Sequence, residues 1–394
     1  MRIAFVSVSD PRDVRGWSGT PFHMAKSLRD AGQEIDLVGP LSQGERIVPL
    51  RALKFAYRAL GRGFLAAREP AVLAGYAHQV RSSLPDEAEY VLSPGTIPIA
   101  HLDVDIPVAV WSDATFQGMI DYYPEFTGLS GRSLRHGLST ERETLRRVSA
   151  AVYSSEWAAM SAVNDAGADP AKVHVVPFGS NLSTELPEGA APGAVRNRSR
   201  SKVSLLFIGG DWERKGGATA VEVMRGLVSK GIDASITVVG CTPPDDVLED
   251  PHVFVKKRID KSTADGMNEL ATLIARSHFL LLPAVADCTP IVFSEANSFA
   301  VPVLATATGG IPSMIRNDTN GRLFPPPGDP RAMSEYVAEL MGNWPRYSRL
   351  AETTLAEYHG RLNWRTSAKK VIGILENLGS SGRPITGPLN AALS

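Results

Sequence analysis

Residues 280–313, LLLPAVADCTPIVFSEANSFAVPVLATATGGIPS, constrain the fold more than any other stretch of this chain. An apolar run of strand length, 279–282, breaks at Pro283. A small, turn-forming segment follows, Cys288-Thr289-Pro290-Ile291, and then a more helical spacing over 291–299. A second strand-like run occupies 301–305 and closes in Gly309-Gly310-Ile311-Pro312. Strand, loop, helix, strand and glycine loop in that order form a βαβ unit, so the chain is expected to be α/β with a parallel sheet. Two acids, Asp287 and Glu295, stand eight positions apart in this unit. The first falls in the loop at the C-terminal edge of the sheet and the second on the first turns of the helix. Both can face one polar ligand whose anionic part meets the amides at the helix start.

A second segment carries complementary chemistry. An apolar strand, 203–208, runs into Gly209-Gly210-Asp211-Trp212-Glu213-Arg214-Lys215-Gly216-Gly217, and a helix follows as far as Gly231. Glycines at a strand-to-helix turn let backbone amides approach a ligand closely, and two adjacent cations oppose the charge of a diphosphate. The plainer reading of either segment alone is an exposed Arg-Lys pair at a turn, or acids stabilising a helix dipole. Their occurrence together favours a ligand site.

Asp287-x7-Glu295, Ala300-Val301-Pro302-Val303 and Gly309-Gly310-Ile311 resemble the donor-binding signature of retaining GT-B glycosyltransferases of family 4, the glycosyl transferases group 1. There, two acids stand in an E-x7-E frame ahead of a G-x-P-V strand and a G-G-I loop. The chain departs from the pattern at Asp287, at Cys288-Thr289-Pro290, where Gly-aromatic-Gly is usual, and at Ala300, where Gly is common. The family's Arg, five residues before the Lys, is replaced by Gly210, and Arg214 is the candidate substitute.

The resemblance implies a GT-B fold, two Rossmann-like domains with an interdomain cleft. It implies a nucleotide-sugar-dependent hexosyl- or glycosyltransferase that retains anomeric configuration and uses UDP-, GDP- or ADP-sugar with no metal or other cofactor. Lys215, Asp287 and Asp113 are then the catalytic candidates. Glu295 would bind the ribose hydroxyls and Asp287 the sugar hydroxyls, with bonds to ionised acceptors about twice as strong as neutral ones. Because Asp is one methylene shorter than Glu, the sugar is expected to sit deeper or to differ in its hydroxyls. The amides of Thr289 and Ile291 are candidates for the distal phosphate, whereas Pro290 has no N–H to give. Arg214, Gly210, Gly19 and Thr20 complete the donor set. The acceptor, a sugar, a lipid or another small molecule, would be held by the N-terminal half.

That half reads as further α/β units. Strands are expected at 3–8, 34–38, 89–92, 106–111, 151–154 and 173–177, with a helix over 22–31 ended by Gly32. No G-x-G-x-x-G follows the first strand, which argues against a dinucleotide oxidoreductase. Gly19-Thr20 matches the place where the family's first loop approaches its ligands, although an N-capped turn with Pro21 at N1 accounts for it equally well. Asp113 lies just past a strand's C-terminal end, where open α/β sheets place ligand contacts, or else caps a helix. The expected boundaries are an N-terminal domain at 1–182, a linker at 183–201 poor in apolar residues, and a donor domain at 202–362. A helix at 363–378 would cross back to the N-terminal domain, ahead of a disordered tail at 379–394.

A chain of 394 residues exceeds one comfortable core, which supports two domains. A net charge of −1 excludes a global nucleic-acid field, and two cysteines exclude a disulfide scaffold. The eight histidines form no metal-binding motif. No run reaches the roughly 18 apolar residues of a spanning helix. A cytoplasmic location is expected, with one addition. Residues 46–68 interleave Arg46, Arg51, Lys54, Arg58, Arg62 and Arg68 with leucines and aromatics, a basic amphipathic helix fit to lie on the inner face of a membrane. A helix with one core face and one solvated face is the plainer alternative. Two further readings of the whole chain stay open: a sugar-nucleotide-binding protein that has lost turnover, and a GT-B-type sugar-nucleotide epimerase.

Overall fold

The computed structural model describes residues 1–380, which fall into two compact units. The first comprises Met1–Val176 with the residues from Ala368 onward, and the second Pro177–Ser367. The expected tail lies outside the described residues apart from positions 379 and 380, which end a helix, Trp364–Ser380.

In the first unit six strands form one parallel sheet: β1 (Arg2–Val6), β2 (Glu34–Val38), β3 (Tyr90–Ser93), β4 (Val108–Ser112), β5 (Ala150–Tyr153) and β6 (Val173–Val175). Their order is β2-β1-β3-β4-β5-β6, all pairs parallel. The inner strands are largely apolar on both faces because helices cover both sides of such a sheet, whereas the edge strand β2 carries Glu34 and Asp36. Ile3, Phe5, Val91, Val110 and Val152 are all fully buried.

The second unit repeats the architecture with β7 (Val203–Ile208), β8 (Ala234–Val239), β9 (Val253–Lys256), β10 (Phe279–Leu282), β11 (Val303–Thr306) and β12 (Gly321–Phe324). The order is β12-β11-β10-β7-β8-β9, again parallel throughout. All four residues of β10 have zero exposure, each side chain contributing about 1.5–3 kcal/mol of burial.

The strand order matters for the site. The chain leaves β7 toward β8 and β9 on one side, then crosses back to place β10 on the other. The connections after β7 and β10 therefore lead off in opposite directions along the sheet, and the region outside the C-terminal ends of these two strands is where open α/β sheets bind ligands. In the first unit the same reversal lies between β1 and β3.

Two expectations are corrected. Residues 183–201 contain a helix, Ala191–Arg196, whose Ala191 and Val195 are buried in the second unit's core, so they are not a free linker. Arg198 is also buried and donates to the carbonyls of Phe299 (2.7 Å) and Ala300 (2.9 Å) and to the Tyr347 hydroxyl (2.8 Å). The basic segment 46–68 is not one helix. Its helix is Ile47–Ala59, and Gly61, at φ +67°, ends the pattern. Beyond it Phe64 is buried, as is Arg68, which pairs with Glu141 and lies over the Phe116 ring.

Candidate active site

The turn after β7 is built by its glycines. Gly216 has φ +76°, a left-handed conformation that costs a side chain dearly, and a β-carbon there would collide with the Pro283 carbonyl. A β-carbon at Gly217 would strike the Trp212 ring. The two loops are thus pressed together, and the Val285 amide donates to the Arg214 carbonyl (2.8 Å).

This contact brings Lys215 to Asp287. The Lys215 ammonium donates to Asp287 Oδ2, with the two side chains only 14% and 7% exposed. Arg214 sits beside them, its Nη1 donating to the Ala286 carbonyl (3.0 Å) and lying 3.9 Å from Asp287 Oδ2. Its backbone amide meets Asp211 Oδ1 at 3.0 Å. The Gly310 amide, from the glycine loop after β11, donates to the Asp287 carbonyl (3.1 Å). The loops after β7, β10 and β11 thus converge on one acid with two cations.

Glu295 lies on the helix Ile291–Asn297 and has zero exposure. Its Oε1 accepts from Lys261 at 2.5 Å, while among the described residues its buried Oε2 has no partner. An unpaired buried carboxylate oxygen costs at least about 1–3 kcal/mol, a strong reason to expect a ligand donor there. Sequence reasoning missed Lys261. The cation-rich run 256–261 after β9 was the available signal, but nothing local tells which of its side chains turns inward.

The donor-loop candidates have these surroundings. The Thr289 amide already donates to Asp287 Oδ1 (3.2 Å), closing an Asx turn, and its hydroxyl donates to the Cys288 carbonyl (2.6 Å). In this arrangement Thr289 orients the acid, with its N–H engaged by the Asp287 carboxylate. Pro290 is the residue preceding the helix that Ile291 opens. Gly210 is exposed, with open space where a side chain would stand.

Gly19, Thr20 and Asp113 belong to the first unit. Gly19, at φ +84°, leads into the helix Thr20–Asp30, and a β-carbon there would come within 2.8 Å of the Val14 carbonyl. Thr20 is buried. Asp113 follows β4 half-buried, and the helix cap after it is Thr115, which accepts from the Gly118 amide (3.0 Å). Capping is thus not the task of Asp113. Among the described residues no group of three His, Cys, Asp or Glu side chains is placed to hold a metal ion.

Comparison with known proteins bears on this arrangement. The chain is 26% identical over 247 residues to a D-inositol 3-phosphate glycosyltransferase of Xylanimonas cellulosilytica, a match covering 59% of this chain and 58% of that protein. The chain thus spans a little over half the length of that relative. Among solved structures it is similar to sucrose-phosphate synthase from Thermosynechococcus elongatus, with a TM-score of 0.67 and 14% identity over 96% of this chain and all of that one. It is also similar to Anabaena HepE in complex with UDP-glucose, with a TM-score of 0.61 and 14% identity over 97% of this chain and all of that one. These likenesses show the α/β fold of GT-B glycosyltransferases. The sequence model described as glycosyl transferases group 1 matches residues 195–356, which include Lys215, Lys261, Asp287 and Glu295. On this match, residues 195–356 form a glycosyl transferases group 1 domain.

Proposed function

We propose that the chain is a retaining glycosyltransferase that moves a sugar from a nucleoside-diphosphate donor to an acceptor, without a metal ion. The observation that carries this reading is the convergence of Lys215 and Arg214 on Asp287 at the strand-order reversal of the second unit. The donor's diphosphate meets Lys215 and Arg214, which neutralise the charge that develops on the leaving phosphate and so do the work a divalent cation would otherwise do. Asp287 accepts from hydroxyls of the transferred sugar, and Glu295 Oε2 from the ribose. Asp113, after β4, is a further catalytic candidate, and the first unit takes the acceptor. Retention of configuration is what the family resemblance implies.

At rest the cation and the acid satisfy each other. A simple anion such as phosphate would have to separate Lys215 from Asp287 and leave the acid, 7% exposed, without its counter-charge. A sugar nucleotide avoids that cost because it brings phosphate for the lysine and hydroxyls for the acid. The UDP-glucose complex of the similar Anabaena structure makes UDP-sugars the first donors to try.

Thermal-shift measurements with UDP-, GDP- and ADP-sugars test the reading. A donor that binds the native state raises the melting temperature, and about 100-fold excess over Kd stabilises by ~2.7 kcal/mol. Lys215→Ala is expected to remove the shift and to lower kcat/KM by ~2–4 kcal/mol. Glu295→Ala is expected to lower it at least about ten-fold, with circular dichroism confirming that each variant folds. Turnover unchanged in both variants would overturn the assignment. Donor binding with neither transfer nor slow hydrolysis would favour a binding protein instead.

A further inference from the structure

We propose that the helix Ile47–Ala59 is a docking surface for a bilayer bearing anionic headgroups. No residue of this helix is buried. Phe55 (76%), Leu60 (74%) and Val48 (60%) are three of the four most exposed large apolar side chains among the described residues. At about 100° per residue the helix carries two apolar stripes. One, formed by Ile47, Leu50, Leu53 and Tyr57, is half-buried and holds the helix to its unit. Leu50 packs on the first unit's core, and the Tyr57 ring stacks on buried Phe64 with centroids 5.4 Å apart. The other stripe, Val48, Ala52, Phe55 and Ala59, faces solvent. A helix needs only the first stripe to pack.

The charges fit the same partner. Residues 46–62 hold five cations and no acid. Arg46 folds against Gly75. Arg51, Lys54, Arg58 and Arg62 are exposed, and among the described residues none is paired with an acid. Arg51 and Arg58 flank the outer apolar stripe, where long basic side chains can lie along hydrocarbon and put their heads among phosphates.

Shape decides between occupants. The outer stripe is a convex ridge one helix wide, so a protein partner, or a second copy, would have to supply a matching apolar groove lined with acids. A bilayer interface is fluid and closes around a ridge. Thirteen residues span only about 20 Å, which sets the helix in the plane of the interface and not across it. Apolar insertion and headgroup attraction are two independent signals, the number stable attachment requires.

The test is co-sedimentation of the full chain with phosphatidylcholine vesicles, with and without phosphatidylglycerol, without any nucleotide, so that the result stands apart from the donor assignment. Binding is expected only with phosphatidylglycerol, weakening at least about ten-fold on going from low to high salt. Arg51→Glu with Arg58→Glu should abolish binding. Phe55→Ser should weaken it at least about five-fold even at low salt. Both variants change exposed positions and should keep the parent melting temperature. Equal binding to neutral vesicles, no binding to either kind, or binding undiminished in both variants would overturn the proposal. So would a self-association of the chain that Phe55→Ser removes while vesicles stay free.

Discussion

His278, just before β10, is fully buried with both ring nitrogens engaged. Nδ1 accepts from the Ser204 amide (3.0 Å), so Nε2 carries the proton and donates to the Ser199 carbonyl (2.7 Å). Burial, with a contribution from the nearby Arg198 charge, pushes its pKa down to about 4. The unfolded chain titrates this group near its ordinary value, about 6.5, and so binds the proton first. Stability is therefore unaffected above pH 6.5, falls as pH drops toward 4, and then levels off, a loss on the order of 3 kcal/mol. Urea unfolding of the chain and of His278→Gln across that range checks this, and the variant should show the flatter profile. Residue-level legibility followed sequence distance. Lys215 and Asp287 were readable one by one, because each lies in a turn-forming loop just past an apolar strand, but their pairing across 72 residues was not. The Asx turn that consumes the Thr289 amide was local and could have been read from Asp287-x-Thr289. Lys261 was not readable, because its partner is 34 residues away and chosen by packing.

Among elements, the strap 183–201 shows why composition misleads. Its Pro, Gly, Ala and Asn content describes a chain that forms little regular structure, and says nothing about whether it is anchored. The anchor is Arg198, whose guanidinium satisfies carbonyls in the turn ahead of β11, where Ala300 holds a left-handed φ of +58°. That conformation costs a non-glycine residue about 1–2 kcal/mol and makes sense of glycine being usual at this place in the resembling family. Arg198→Met keeps much of the apolar stem but strands several buried acceptors, at about 1–3 kcal/mol each. A loss of about 3–5 kcal/mol in urea denaturation is expected. Arg198→Lys, with a point charge in place of the fork, should lose less. The basic pattern outruns its helix for a related reason. Its alternating pattern runs past Gly61 in sequence, but the chain beyond that glycine is drawn inward by Phe64 and by the pairing of Arg68 with Glu141.

At the scale of the molecule, each unit has its own sheet and its own core. Calorimetry is expected to show two transitions, and a donor sugar nucleotide should raise mainly the one belonging to the second unit. A single transition that shifts as a whole would mean the units unfold together. The α/β class and the division into two units were legible because fully buried parallel strands read as short apolar runs whatever the topology. The strand orders were not legible. Crossovers past a central strand leave no local mark in the sequence, and only the fold shows that β7 and β10 are neighbours.

The helix Trp364–Ser380 begins in the second unit, and its residues from Ala368 on belong to the first, where Ala368, Val371 and Leu375 are wholly buried and Gly379 lies against Tyr90. Topologically, the second unit is an insert. During synthesis the first 176 residues leave the ribosome without the piece that completes their core, while Pro177–Ser367 emerge whole. The first unit is therefore expected to close only after the second is whole, the reverse of the usual order in which successive domains mature.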